Sequence, residues 1–259
     1  MSATSGYYLA GASWLHRRYP LTKAIAVAAI LLAVFLLPPL VLPILAVAML
    51  AVAASAGLLR QLVGAMRIPV VLLASILVVN TFFFPGATDR LLEIGPFAAT
   101  REGLTFGLVS AGRVLVAFLT LVLFLFTTLA DDLLESLVSR GVSHRLAFVV
   151  LSSVQMVPRM QARASSILEA QQARGLRLDG GIGRRVRALV PLVGPVVLGA
   201  LIDVRERTFA LEARGFGAQT RRTAYRTVVD PPGDRLLRWS LVLICIAIVI
   251  AAVSGVLDR

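Results

Sequence analysis

Five apolar stretches constrain this chain more than any other feature. They are Ala24–Leu37, Leu40–Leu59, Ile68–Phe84, Leu104–Leu129 and Leu236–Val256. A helix of ~20 mostly apolar residues crosses the hydrocarbon core of a bilayer. No water is present there to satisfy a free backbone group, so a helix that closes its own hydrogen bonds is the natural solution. Pro38-Pro39 cannot continue a helix, so the first two stretches read as a tight hairpin, and Pro85-Gly86 ends the third. Only 15% of residues are charged, against ~25% in a soluble domain, and the mean hydropathy is +0.86. The expected fold class is all-α: a polytopic helical membrane protein with about five transmembrane helices.

The charges orient these segments. Arg17, Arg18 and Lys23 precede the first, and Arg60 and Arg67 separate the second from the third. Asp89 and Glu93 lie in the loop after the third. Sixteen of the 26 basic residues and ten of the 14 acids fall between Asp131 and Arg235. Basic loops stay on the cytoplasmic side. The N-terminus is therefore expected inside, Pro38-Pro39 outside, Arg60 and Arg67 inside, Asp89 and Glu93 outside, and the large basic region inside. The last span then leads outward to a short tail at Asp258-Arg259. The chain divides into residues 1–130 with four membrane helices, 131–235 as a cytoplasmic or interfacial helical region, and 236–259 as the final span. The first apolar stretch runs on into the second, so it reads as an uncleaved helix and not as a removable signal.

Several functions have little support. The net charge of +12 sits beside apolar spans and is mixed with acids, which argues for topology and against nucleic-acid binding. The single cysteine, Cys245, lies in the last apolar run and acts as a small apolar residue. The two histidines, His16 and His144, stand in no His-Glu-x-x-His pattern, so neither a metal nor a hydrolytic centre is expected. Lys23 is the only lysine, and Gly180-Gly181-Ile182-Gly183 lacks the lysine of a phosphate-binding loop, so this chain is not expected to hydrolyse ATP. Asn80, Thr81, Ser110 and Arg113 are the main polar residues within the spans, few for a solute path. Arg113 reads as a snorkelling side chain, with a functional intramembrane charge as the alternative. A permease that carries its own solute remains the rival to a coupling role, and a true membrane crossing by Val186–Ile202 would favour it.

The region 131–235 carries one phrase twice. Asp131–Leu137 reads as a short amphipathic helix with acids in its first turn, ended near Gly141, and Leu146–Met156 as a segment at the membrane face. Pro158 is suited to a first helical turn, followed by helix-favouring residues to Arg174 and a stop at Gly175. Leu176–Arg185, with Asp179-Gly180-Gly181, turns the chain. Val186–Ile202 is interrupted by Pro191, Gly194 and Pro195 and flanked by arginines, so it reads as an interfacial or shallow re-entrant helix. It feeds a second polar helix from Asp203 to Arg214, and an Arg-rich linker from Arg221 to Arg235, turning at Pro231-Pro232-Gly233, returns to the last span. The two helices end in Ala173-Arg174-Gly175 and Ala213-Arg214-Gly215, 40 residues apart. Alanine keeps each end slim, glycine turns the chain away, and the guanidinium is a planar fork for a carboxylate. Two such tips suit two equivalent grooves on a two-fold partner.

The pair Gln171-Gln172-Ala173-Arg174-Gly175 and Leu211-Glu212-Ala213-Arg214-Gly215-Phe216, set between membrane helices, resembles the transmembrane component of energy-coupling factor transporters. That family includes the membrane subunits of cobalt and biotin transporters, and the resemblance covers most of the chain. It implies that residues 131–235 are a coupling-helix region. It also implies that Ala173, Arg174, Gly175, Ala213, Arg214, Gly215 and Phe216 bind two ATP-binding cassette ATPase subunits, identical or different, with one arginine in each. It implies further a substrate-specific membrane subunit on the apolar face of the coupling helices, uptake of a vitamin or metal ion, and residence in a prokaryotic plasma membrane. No cofactor is expected on this chain, since the partner subunits hydrolyse the ATP.

Overall fold

The computed structural model describes residues 8–9, 11, 13–85, 89–94, 97–176, 181–216 and 230–254. The expected turn at Asp179-Gly180, most of the linker from Arg221, and the tail at Asp258-Arg259 lie outside these residues. The chain forms two compact units, residues 1–140 with 228–259, and residues 141–227.

In the first unit, α1 (Trp14–Arg17) leads into α2 (Pro20–Leu36), which starts on a proline and stops before Pro38-Pro39. The chain returns through α3 (Val41–Ser55), closed by Gly57 at φ 72°. α4 (Leu59–Ala65) and α5 (Val70–Phe83) follow, bent by 54° at the break that holds Pro69. β1 (Arg90–Ile94) and β2 (Phe97–Thr100) form an antiparallel hairpin with Ile94 opposite Phe97. The sequence reading gave this segment only as a loop. α6 (Arg101–Thr127) begins where the Thr100 side chain accepts a hydrogen bond from the Gly103 amide, with Glu102 in the first turn. α7 (Ala130–Val138) carries Asp131 and Asp132 in its first turn, and Gly141 follows at φ 99°. α10 (Pro232–Val253) completes the unit.

The five apolar stretches thus become α2, α3, α5, α6 and α10, of unequal reach, while α4 falls on the Arg60-bearing segment expected to connect the second stretch to the third. α6 has 27 residues and α10 has 22, long and apolar enough to cross a bilayer, and α4 and α5 reach that length and apolarity only when taken together across their bend. α2 has 17 residues and α3 has 15. At 1.5 Å per residue these are about 26 and 23 Å long, short of a ~30 Å core. The double proline that makes the hairpin tight also cuts both arms short.

α6 is the central post, packing against α2, α3 and α5. Leu62, Leu119, Leu123 and Ala53 form one buried cluster, and Val34, Leu42 and Val116 form another. Helices α5 and α6 approach closely at Gly103, where a Cβ would stand 2.3 Å from the Asn80 carbonyl oxygen. Small residues at such crossings let backbones approach in lipid. The polar side chains inside these helices bond their own backbone: Asn80 to Ile76 O, Thr81 to Leu77 O and Thr120 to Val116 O. None of these bonds points to a solute path. Arg113 Nε is buried without a hydrogen-bond partner among the described residues.

A fully buried carboxylate ties α10 to α2. Asp234 receives hydrogen bonds from the Arg18 guanidinium and, at 2.7 Å, from the Tyr19 amide. One turn along, Arg238 lies 4.8 Å from the Tyr19 ring centroid and donates to Asp230 at 2.6 Å, and Arg140 also donates to Asp230 at 3.1 Å. Burial pushes the Asp230 carboxyl up, but the bonds from Arg238 and Arg140 outweigh it and leave the group below the usual carboxylate range.

The second unit holds α8 (His144–Ala173) and α9 (Ile182–Ala213). Both correct the sequence reading. Pro158 lies inside α8 and does not open a new helix. α9 runs unbroken through Pro191, Gly194 and Pro195, so the apolar piece from Val186 and the polar piece from Asp203 are one element of 32 residues. A proline removes one hydrogen bond, a local cost of about 3 kcal/mol. Strong helix formers on both sides, such as Arg159–Ala173, carry the helix past it.

Candidate functional site

The two Ala-Arg-Gly triplets end α8 and α9 with the same backbone geometry. At the first, the Gly175 amide donates to Gln172 O (2.9 Å) and the Leu176 amide to Gln171 O (3.0 Å). At the second, the Gly215 amide donates to Glu212 O (2.9 Å) and the Phe216 amide to Leu211 O (2.8 Å). Each is a paired 5→2 and 6→1 closure, the Schellman motif, which needs a left-handed residue after the cap. Gly175 at φ 95° and Gly215 at φ 70° supply it. Arg174 and Arg214 are the cap residues, at φ −86° and −87°.

Solvent exposure repeats as well. Ala173, Arg174 and Gly175 are exposed, as are Ala213, Arg214 and Gly215, while Leu176 and Phe216 are half-buried. Phe216 turns back onto α8, its ring 4.7 Å from that of Phe148 and 6.4 Å from that of His144. The half-buried aromatic side chain thereby anchors the second tip. Glycine frees the chain direction, and the next apolar residue holds it.

Among the described residues, an ion pair joins the two helices. Arg163 Nη1 and Nη2 donate to Asp203 Oδ2 and Oδ1 at 2.7 and 2.9 Å, a bidentate fork. Gly199 makes room for it, since a Cβ there would stand 3.0 Å from Arg163 Nη1 and 3.2 Å from Cζ. The hydrogen bond from Arg163 holds the Asp203 carboxyl below the usual range, against a smaller opposing effect of desolvation. From this pair to the Phe148–Phe216 contact, α8 is followed towards its start and α9 towards its end, so the two helices run in opposite senses.

Arg163 and Asp203 are themselves 40 residues apart, the same offset as Arg174 and Arg214. Each tip therefore lies eleven residues beyond the ion pair on its own helix, about 16 Å at 1.5 Å per residue. The tips lie on opposite sides of the pairing point, which acts as a local pseudo-two-fold centre. The arrangement does not bring Arg174 and Arg214 together. It presents them as two separate, equivalent cations. The sequence reading identified both tips but missed Arg163, Gly199 and Asp203.

Chemically, each tip offers an exposed guanidinium, a planar fork that can pair with a carboxylate. Among the described residues no group of three or more His, Cys, Asp or Glu side chains could hold a metal ion.

Known proteins resemble the chain along most of its length. Residues 11–225 match the model of the CbiQ cobalt transport protein family. An energy-coupling factor transporter transmembrane protein of Listeria innocua is 31% identical over 97% of this chain and 96% of its own length. One from Thermosediminibacter oceani is 29% identical over 85% of this chain and 86% of its own. A Bifidobacterium longum protein named for ABC transporter ATP binding is 29% identical over 71% of this chain, which covers 24% of that longer protein. Two helices long and apolar enough to span a membrane, a doubled and identically closed helix end, and similarity along nearly the whole sequence lead to one conclusion: the chain belongs to the CbiQ family of membrane-embedded energy-coupling factor transporter transmembrane components.

Proposed function

We propose that this chain is the scaffold and coupling subunit of an energy-coupling factor importer in a prokaryotic plasma membrane, with its N-terminus cytoplasmic. Its carrying observation is the pair of identically closed, exposed arginine tips placed symmetrically about the Arg163–Asp203 pair. Arg174 and Arg214 each enter a groove on one of two ATP-binding cassette ATPase subunits and pair there with a carboxylate. Ala173 and Ala213 keep the tips narrow, and Gly175 and Gly215 turn the chain clear of the groove wall. Phe216 sets the second tip against Phe148. ATP is hydrolysed by those partners. Their movement passes along α8 and α9 to a substrate-specific membrane subunit that carries a vitamin or metal ion. Exposed Val154, Val157, Val197, Leu198 and Leu201 supply apolar surface on these helices for that subunit.

The test is recovery of tagged protein from native membranes in mild detergent, followed by identification of what accompanies it. Wild type is expected with one or two cassette ATPases and a small hydrophobic subunit. Arg174→Glu and Arg214→Glu each put like charge against a groove carboxylate, and loss of such a buried pair costs about 2–5 kcal/mol. ATPase recovery should fall at least tenfold in the double variant. Undiminished recovery in both variants would overturn the docking role. Recovery of the protein alone, with transport activity, would favour the self-contained permease.

A further inference from the structure

The chain leaves unit one after Arg140 and belongs to it again from residue 228. Within unit one the two crossings are tied to each other. Arg140, the last residue before the first crossing, donates to Asp230 Oδ2 at 3.1 Å across 90 residues of chain. Arg238 of α10 donates to the same oxygen at 2.6 Å, and Arg235 Nη2 lies 4.0 Å from it. Tyr19, buried just before α2, completes the group. Its ring faces the Arg238 guanidinium, its hydroxyl lies 3.4 Å from Ser139 Oγ, and its amide is held by Asp234. The end of α7, the returning chain and the starts of α2 and α10 therefore share one polar knot.

Two features distinguish this knot from a static ion pair. Three guanidiniums gather about Oδ2 of Asp230, while Oδ1 and Arg238 Nη1 are buried without a partner among the described residues. Arg140 is half in solvent, so it can pass from one carboxylate oxygen to the other and stay paired, which gives the knot two arrangements. Beyond it, Gly141, Val142 and Ser143 are exposed and belong to no helix. Gly141 has φ 99° and nothing within 4 Å of a Cβ. α8 starts at His144, and Phe216 packs on His144 and Phe148 there, so the entry to unit two is itself fastened. A displacement of α8 thus reaches unit one across three residues only. We propose that Arg140, Asp230, Arg238 and Tyr19 are positioning residues for transport, which hand the movement of α8 and α9 to α2 and α10. This rests on the coupling role proposed above. Without the knot the crossing swings on Gly141 and the movement is lost. With it, the movement becomes a pull on Tyr19 and Arg238, at the starts of the first and last membrane helices.

The test uses the full chain in lipid nanodiscs with the ATPases recovered alongside it. Cys245→Ser removes the native thiol, and nitroxides are attached at Leu108→Cys on α6 and Leu243→Cys on α10, both exposed positions. Pulsed electron paramagnetic resonance reads the distance between them with and without ATP and orthovanadate. The parent protein is expected to show a nucleotide-dependent shift. Arg140→Ala leaves the Arg238–Asp230 bond in place, so the fold is kept. It should lose the shift yet retain ATPase recovery and ATP hydrolysis. Arg140→Lys, which returns a cation to the carboxylate, should regain the shift, and Asp230→Ala should lose it. A shift that survives both alanine variants would overturn the proposal. So would a parent protein that holds the ATPases and shows no shift, or a shift lost only together with ATPase recovery. Absence of the ATPases from the parent protein would instead overturn the coupling role, and this inference with it.

Discussion

Gly175 and Gly215 adopt a left-handed backbone that a side chain resists by roughly 1–2 kcal/mol. Gly175→Ala or Gly215→Ala should therefore unwind the last turn and displace the adjacent arginine, without removing any charge. The expected outcome is weakened ATPase recovery with at most a small fall in melting temperature, since the strain is confined to the last turn and a Cβ at Gly175 meets nothing within 4 Å. Asp203 makes a second residue-scale prediction. Its carboxyl is held below its ordinary value in the folded protein, so the Arg163 pair stabilises the hairpin above the unfolded value. That contribution is lost as pH falls through the lower, folded value, in the acid range below about 4. Asp203→Asn should remove this acid-sensitive step from a helicity titration. Charge exchange, Arg163→Asp with Asp203→Arg, should restore the contact that either single change breaks.

At the scale of elements, close approach between α5 and α6 depends on glycine. A Cβ at position 103 would stand 2.3 Å from Asn80 O and 2.7 Å from Thr100 Oγ1, so the helices must part or shift. Gly103→Ala should cost about 1–3 kcal/mol, as overpacking does, and lower the thermal midpoint of the detergent-solubilised protein. An unchanged midpoint would show that α5 moves freely over α6. This scale is also where reading from sequence went furthest astray. From sequence, Pro158 reads as a helix start and Pro191 and Pro195 as interruptions, because proline disfavours helix in isolation. In α8 and α9 they lie within long helices whose other residues favour helix strongly enough to absorb the lost bonds. The hairpin β1–β2 was missed for the opposite reason: its ladder pairs residues across a turn, and the short segment carried no alternating pattern to announce it.

At the scale of the molecule, topology and the buried polar tie of the first unit are open to direct tests. In a Cys245→Ser background, Ser143→Cys should react with an impermeant thiol reagent from the cytoplasmic side alone, and Asp89→Cys from the outside alone; both native residues are exposed. The reverse result would invert the proposed orientation and place both arginine tips on the wrong side for an ATPase. Asp234 joins the beginnings of the first and last membrane helices, which are distant in sequence. Asp234→Ala leaves the Tyr19 amide without its partner, a loss of about 1–3 kcal/mol. The Arg18 share is smaller, because that side chain is half in solvent. The thermal midpoint should fall, with α10 separating from α2 before the rest unfolds.

The sequence by itself determined that this chain lives in a membrane, where its apolar helices lie, and which two arginines end in matched turns. These are local properties: hydropathy over one helix length, a proline pair, a glycine after a cation. Only the tertiary structure decided that the two tips are equivalent, because that depends on helices running in opposite senses and pairing at Arg163 and Asp203. Only it decided that Asp234 joins two distant spans. A contact between residues far apart in the chain leaves no periodic trace in either segment, since each partner serves equally well as an ordinary solvated charge until the fold brings the two together.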